Sequence, residues 1–120
     1  MHIQKIMRFD KKAEEAEVIV SDGAYEILCY AFPIDTIRIG MIVGGLSGFS
    51  CGNVVRAVQQ HCAVSKLPSY FAYHMIGIVL SKQERIICVG GLKIRLDECI
   101  PNDISDGEYI SFEVQRLDLD

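Results

Sequence analysis

No apolar run in the chain is long enough to cross a bilayer as a helix. The most apolar windows, residues 27–32 and 75–80, fall far short of the ~18 residues such a helix needs. The amino-terminal stretch MHIQKIMRFDKKAEEAE is broken by charge every few residues, which leaves no room for the apolar core of roughly 7 to 15 residues that a secretory signal carries. The expectation is a cytoplasmic protein with no membrane partner. Cysteine motifs are missing as well. The five cysteines, at 29, 51, 62, 88 and 99, are odd in number and never closely spaced, so reduced thiols are expected rather than a disulfide framework. Residues 44–52, GGLSGFSCG, are rich in glycine but contain no GxGxxG, and no Lys-Ser or Lys-Thr follows as a Walker loop requires. A nucleophile elbow would need glycine where Phe49 stands. This stretch therefore reads as a turn, a bulge or a strongly kinked strand. Finally, positive charge is neither abundant nor clustered. The formal net charge is −4, which repels phosphate backbones and disfavours nucleic acid as a partner.

What is present describes one β-rich domain covering residues 1–120. Half of the residues are hydrophobic and only 23% are charged, so a single core of this size leaves apolar surface over and self-association is expected. The stretch VIVSDGAYEILCYAF places β-branched and aromatic arms on either side of Asp22-Gly23, the pattern of a hairpin. Its second arm is apolar on both faces, as in a central strand or one that meets a partner chain. Residues 2–9 read as a strand, and the charged segment DKKAEEAE (10–17) reads as a bend or a short helical turn. IRIGMIV (37–43) reads as a strand bent at Gly40. For residues 53–64, Val54, Val55, Val58 and Cys62 fit one helical face behind an Asn53 cap, while the valines favour a strand; both assignments stay open. YFAYHMIGIVL (70–80), interrupted at Gly77, the turn SKQER and residues 86–89 form a second hairpin. Leu92, Ile94 and Leu96 point inward from one strand, as do Ile110, Phe112 and Val114 from the last. The tail QRLDLD is expected to be solvated or to pair at an edge.

The expected fold class is all-β, a small antiparallel barrel of about six or seven strands with at most one short helix. The order of elements resembles the OB fold: long hairpin arms (EVIVSDGAYEILCYAF), a strand with a glycine bend (IRIGMIVGG), a possible helix, a further hairpin (YFAYHMIGIVLSKQERIICVGG) and a closing strand (ISDGEYISFEV). The resemblance covers residues 17–114. It implies a binding face on the second and third strands for oligonucleotides, oligosaccharides or proteins. The chain departs from nucleic-acid-binding members in being acidic and in having no basic strip interleaved with aromatics.

Candidate ligand-binding residues are Tyr30, Arg38, Arg56, Tyr70, Tyr73 and His74, because aromatic rings with polar tips beside arginines suit recognition surfaces. About half of the aromatics belong in the core. His74 with Cys88 across a hairpin is the one conceivable catalytic thiol pair, and a hydrogen-bonded strand histidine explains it more simply. Cys51, His61, Cys62 and Cys99 lack the spacing of a zinc site, so no metal or cofactor is expected. The carboxylates of residues 96–99 and 101–108 suit turns. The expected function is non-enzymatic: a binding or assembly module making protein–protein contacts, as a homo-oligomer or with another protein. A module binding single-stranded nucleic acid or oligosaccharide is the first alternative, and a small thiol- or metal-dependent enzyme the second.

Overall fold

A computed structural model describes residues 1–120. It contains strands and turns and no helix. The strands are β1 (His2–Asp10), β2 (Glu15–Ser21), β3 (Glu26–Ala31), β4 (Leu46–Phe49), β5 (Gly52–Arg56), β6 (Ala63–Lys66), β7 (Tyr73–Ser81), β8 (Ile86–Val89), β9 (Leu92–Leu96), β10 (Tyr109–Val114) and β11 (Arg116–Leu119). All belong to one sheet, ordered β1-β2-β3-β11-β4-β9-β8-β7-β10-β5, with β6 beside the first half of β7. The extents are 45 × 27 × 25 Å. Two nearly equal short axes fit a curled rather than a flat sheet, the common form for this many strands. The inner face holds Val18, Val20, Ile27, Leu46, Met75, Ile94, Phe112 and Leu117, all fully buried in one cluster.

The all-β character expected from the sequence is present, in an arrangement compatible with a small barrel; the finer description is corrected. There are eleven strands, the sheet is not closed, and the pairs β3–β11 and β4–β9 are parallel. The open helix-or-strand question at residues 53–64 resolves against the helix. β5 pairs with β10, and the Asn53 side chain donates to Glu113 at 3.0 Å instead of capping a helix. Val54 and Val55 favour the extended form of this strand, since β-branching costs rotamer freedom in a helix. Residues 37–43 are not a strand. They cross one end of the sheet with a single bridge, His2 to Ile42, and Ile42 is 79% exposed. The 10–17 segment turns at Lys11–Glu14 and is already strand at Glu15. The tail does not lie at an edge. β11 is inserted between β3 and β4 with Leu117 fully buried.

The Asp22-Gly23 hairpin does form, pairing β2 with β3 from Ala16↔Ala31 to Ser21↔Glu26. Its carboxylate also holds the turn against a distant one. Asp22 accepts from the amides of Tyr25 (2.7 Å), Ala24 (2.8 Å) and Gly91 (2.6 Å). A Cβ at Gly91 would lie 2.9 Å from that of Asp22, so the β8–β9 turn comes this close only with glycine there. Gly77 plays a similar part within β7. A Cβ on it would meet the Cys88 carbonyl at 2.7 Å and the Ile87 and Val89 side chains at 2.8 Å, so the strand runs through Gly77 without interruption because β8 folds tightly over it.

Two predictions follow from these contacts. Gly77→Ala drives a methyl into backbone as well as side chains and should lower unfolding stability by about 1–3 kcal/mol or more in urea melts. Burial by itself would raise the Asp22 carboxyl, but the amides of Tyr25, Ala24 and Gly91 outweigh it and hold the group below the ordinary aspartate value. The unfolded carboxyl therefore takes up its proton at higher pH than the folded one. Stability from this turn is complete above the ordinary aspartate range and is lost as pH falls through the depressed folded value. Asp22→Ala should cost about 1–3 kcal/mol at neutral pH and flatten that acid limb, which denaturant melts across pH would measure.

Candidate functional site

The outer face of β2, β3, β11 and β4 carries the one place where aromatic and charged side chains are interlocked across several strands. Register explains the gathering. Arg8 lies opposite Glu17, Glu17 opposite Tyr30, Tyr30 opposite Asp118, and Asp118 opposite Ser47. Period-two alternation puts all five on one side of the sheet. One step along β11, Arg116 lies opposite Phe49.

Arg116 is the centre of this arrangement. Its guanidinium carbon is 4.7 Å from the Tyr30 ring centroid and 5.3 Å from that of Phe49, and it makes two bonds to Asp118, at 2.7 and 2.9 Å. A guanidinium held flat by a carboxylate presents its faces to both rings. The Tyr70-Phe71 turn before β7 closes one side. Phe71 meets Tyr30 edge-on at 6.3 Å and Tyr70 at 4.8 Å. The phenols are anchored as well: Tyr30 donates to Glu15 at 2.7 Å and Tyr70 to Glu17 at 2.6 Å. Arg8 bridges both carboxylates, at 3.2 and 2.7 Å. Bonds from Tyr70 and then Arg8 lower the Glu17 carboxyl, and the same carboxylates raise the Tyr70 and Tyr30 phenols.

Of the sequence-derived candidates, Tyr30 and Tyr70 belong to this platform. Tyr73 lies behind it, only 7% exposed, with its hydroxyl accepting the Leu28 amide at 2.8 Å. Arg38 is on the surface loop between β3 and β4. Arg56 pins β5 to the loop before β10 through Glu108 at 2.6 Å and Asp103 at 3.5 Å. His74 lies on the outer face of β7 between Ser65 and Glu113. The Cys88 partner of β7 is Ile78, four residues and about 13 Å along the strand from His74, so these two side chains are not brought together. Burial raises the Cys29 thiol far above its usual value and pushes Cys51 up to about 12, which keeps both as thiols and poor nucleophiles at neutral pH. No three His, Cys, Asp or Glu side chains gather as a metal site. No helix is long and apolar enough to span a membrane.

Arg8, Arg116, Asp118, Glu15 and Glu17 are platform residues that sequence reasoning passed over. The available signal was the alternation Arg-Leu-Asp-Leu in the tail, the same period of two that marks β9. No protein-family model matches the chain, and neither a curated protein nor a solved structure matches it significantly.

The phenol anchors can be checked directly. Replacing Glu17 by Gln removes the charge that opposes ionisation of Tyr70, so the Tyr70 phenol should titrate at lower pH while Tyr30 stays raised. Ring-carbon NMR of the five tyrosines through an alkaline titration would show one resonance series moving.

Proposed function

We propose that the protein is a non-enzymatic binding and assembly module, and that the Arg116-centred platform is its protein-contact surface. The observation that carries this reading is the stacking of Arg116 against Tyr30 and Phe49 with Tyr70 and Phe71 alongside. Tyrosine, phenylalanine and arginine are the residue types concentrated at interface cores. Rings already fixed by hydrogen bonds lose little side-chain freedom on association, which favours binding. Part of the platform faces solvent: Tyr70 is 61% and Phe49 41% exposed.

Its ionic composition also suits a protein surface. Arg8 and Arg116 stand beside Glu15, Glu17 and Asp118, a nearly balanced set that gives neither a phosphate chain nor a lipid headgroup a net attraction. A second copy of the chain is the simplest partner, because a symmetric contact buries the same rings twice.

Light scattering from micromolar to millimolar protein tests this reading. The mass should climb towards a dimer, and the double variant Tyr70→Ala/Phe49→Ala should stay monomeric while keeping the wild-type circular dichroism. A constant monomer mass, with Tyr30 and Tyr70 ring shifts unchanged across the range, would overturn self-assembly through this face.

A further inference from the structure

Five of the twelve lysine and arginine side chains are occupied. Arg8, Arg56 and Arg116 sit in ion pairs, and the Lys66 and Lys82 ammonium groups donate to backbone carbonyls. Arg85, Lys93 and Arg95 do not. None has a carboxylate within ion-pairing distance or a side-chain hydrogen bond, and the sheet brings all three to one side of β8 and β9. Lys93 and Arg95 point outward from β9, flanking buried Ile94. Arg95 lies opposite Ile86, next to Arg85.

Three surface depressions adjoin here through shared walls. A cleft of about 720 Å³ between the β7–β8 turn and the loop before β10 includes Lys82 and Arg85. A smaller one of about 170 Å³ includes Arg85, Arg95 and Phe49, and a third of about 240 Å³ includes Arg95 and Lys93. Together they make a track whose cations run Lys82, Arg85, Arg95, Lys93. The acids along it are Asp106, Asp97 and Asp120, and all are engaged. Asp106 accepts the Lys82 amide at 2.7 Å, Asp97 the amides of Ser50 (2.8 Å) and Cys51 (3.0 Å), and Asp120 the Ser47 hydroxyl.

We infer that this track docks an extended acidic peptide segment of a partner protein, with carboxylates at alternate positions. Spacing favours that form: Lys93 and Arg95 are two residues apart on a strand, about 7 Å, the interval between alternate side chains of an extended peptide. The interspersed acids argue against a nucleic-acid strand. A phosphodiester chain places a charge at every nucleotide and would set some against Asp97 and Asp120. A peptide can place carboxylates opposite the cations, with apolar or hydroxyl residues elsewhere, one of them against Phe49. The inference supplies a partner chemistry to the protein-binding reading; the track meets the platform at Phe49 but its cations Arg85, Lys93 and Arg95 lie outside it, so charge changes at Lys93 and Arg95 test peptide binding apart from self-association.

Fluorescence anisotropy with a labelled peptide alternating glutamate and serine tests it, beside the glutamine–serine analogue and an oligothymidylate of equal charge. The glutamate peptide should bind, weaken with added salt, and lose about tenfold or more in affinity with Lys93→Glu/Arg95→Glu. Lys93→Gln/Arg95→Gln guards against misfolding of that variant and should lose affinity in the same direction. Arg38→Glu, a reversal off the track, should change little. Absence of binding, equal loss with Arg38→Glu, or binding of the oligothymidylate at least as tight as that of the peptide would each overturn the inference.

Discussion

The hydrogen-bonded sheet is continuous only through four residues near the carboxyl end. β1, β2 and β3 form one ribbon; β4, β9, β8, β7, β10 and β5 form another; β11 lies between them and bonds to both. On the β3 side the junction is a single parallel bridge, Tyr30 to Asp118. The β4 side is a four-pair antiparallel ladder, Arg116↔Phe49 to Leu119↔Leu46. Leu117 is fully buried, so seating this strand also completes the core. Such a junction brings together residues far apart in sequence, at a loop-closure cost that local hairpins avoid. Contacts beyond the ladder secure the ribbon where β3 runs past it: Tyr73 occupies the free Leu28 amide, Asp22 reaches Gly91, and the Tyr25 hydroxyl donates to the Cys62 carbonyl at 2.9 Å.

The aromatic platform is built on that junction and depends on it. Arg116 and Asp118 are the outward residues of β11, and their neighbours Tyr30 and Phe49 belong to the two ribbons being joined. Within the sheet, only β11 joins those ribbons. Core closure and the platform thus rest on the same strand, and inward Leu117 stabilises the register that sets Arg116 between the rings. Damage to the inward face of β11 would therefore reach the platform without touching any of its side chains.

This arrangement also accounts for what could be read from residues alone. Segments with local cues were legible. Asp22-Gly23 between β-branched arms made its hairpin, and the strict alternation of β9 and β10 buried the expected residues. Segments decided by distant partners were not. Residues 53–56 match a helical face as well as a strand until β10 is placed beside them, and residues 37–43 carry strand-forming isoleucines but find only one bridge. The tail has the alternation of a half-buried strand, yet its charge masks it, because nothing local indicates that Leu117 will be covered. Site residues divide the same way. Tyr30 and Tyr70 announce themselves by type, whereas Arg116 matters only through the rings that topology brings to it. Tyr73 and Arg56, equally promising by type, serve the fold, one capping an amide and the other tying down β5.

Charge shows the same split between composition and placement. A net charge of −4 describes the long-range field, which screening confines to about 10 Å at moderate ionic strength. At shorter range, what a partner meets is which charges are already satisfied. On the platform, arginines and carboxylates neutralise one another, leaving the rings to dominate contact. Along β8 and β9 the carboxylates turn to amides and a hydroxyl while three cations remain without counter-charges. An acidic protein can therefore present a local cationic track without any cluster of basic residues in its sequence: Arg85 comes from a turn, Lys93 and Arg95 from alternate positions of a strand, and only the pairing of β8 with β9 makes them neighbours.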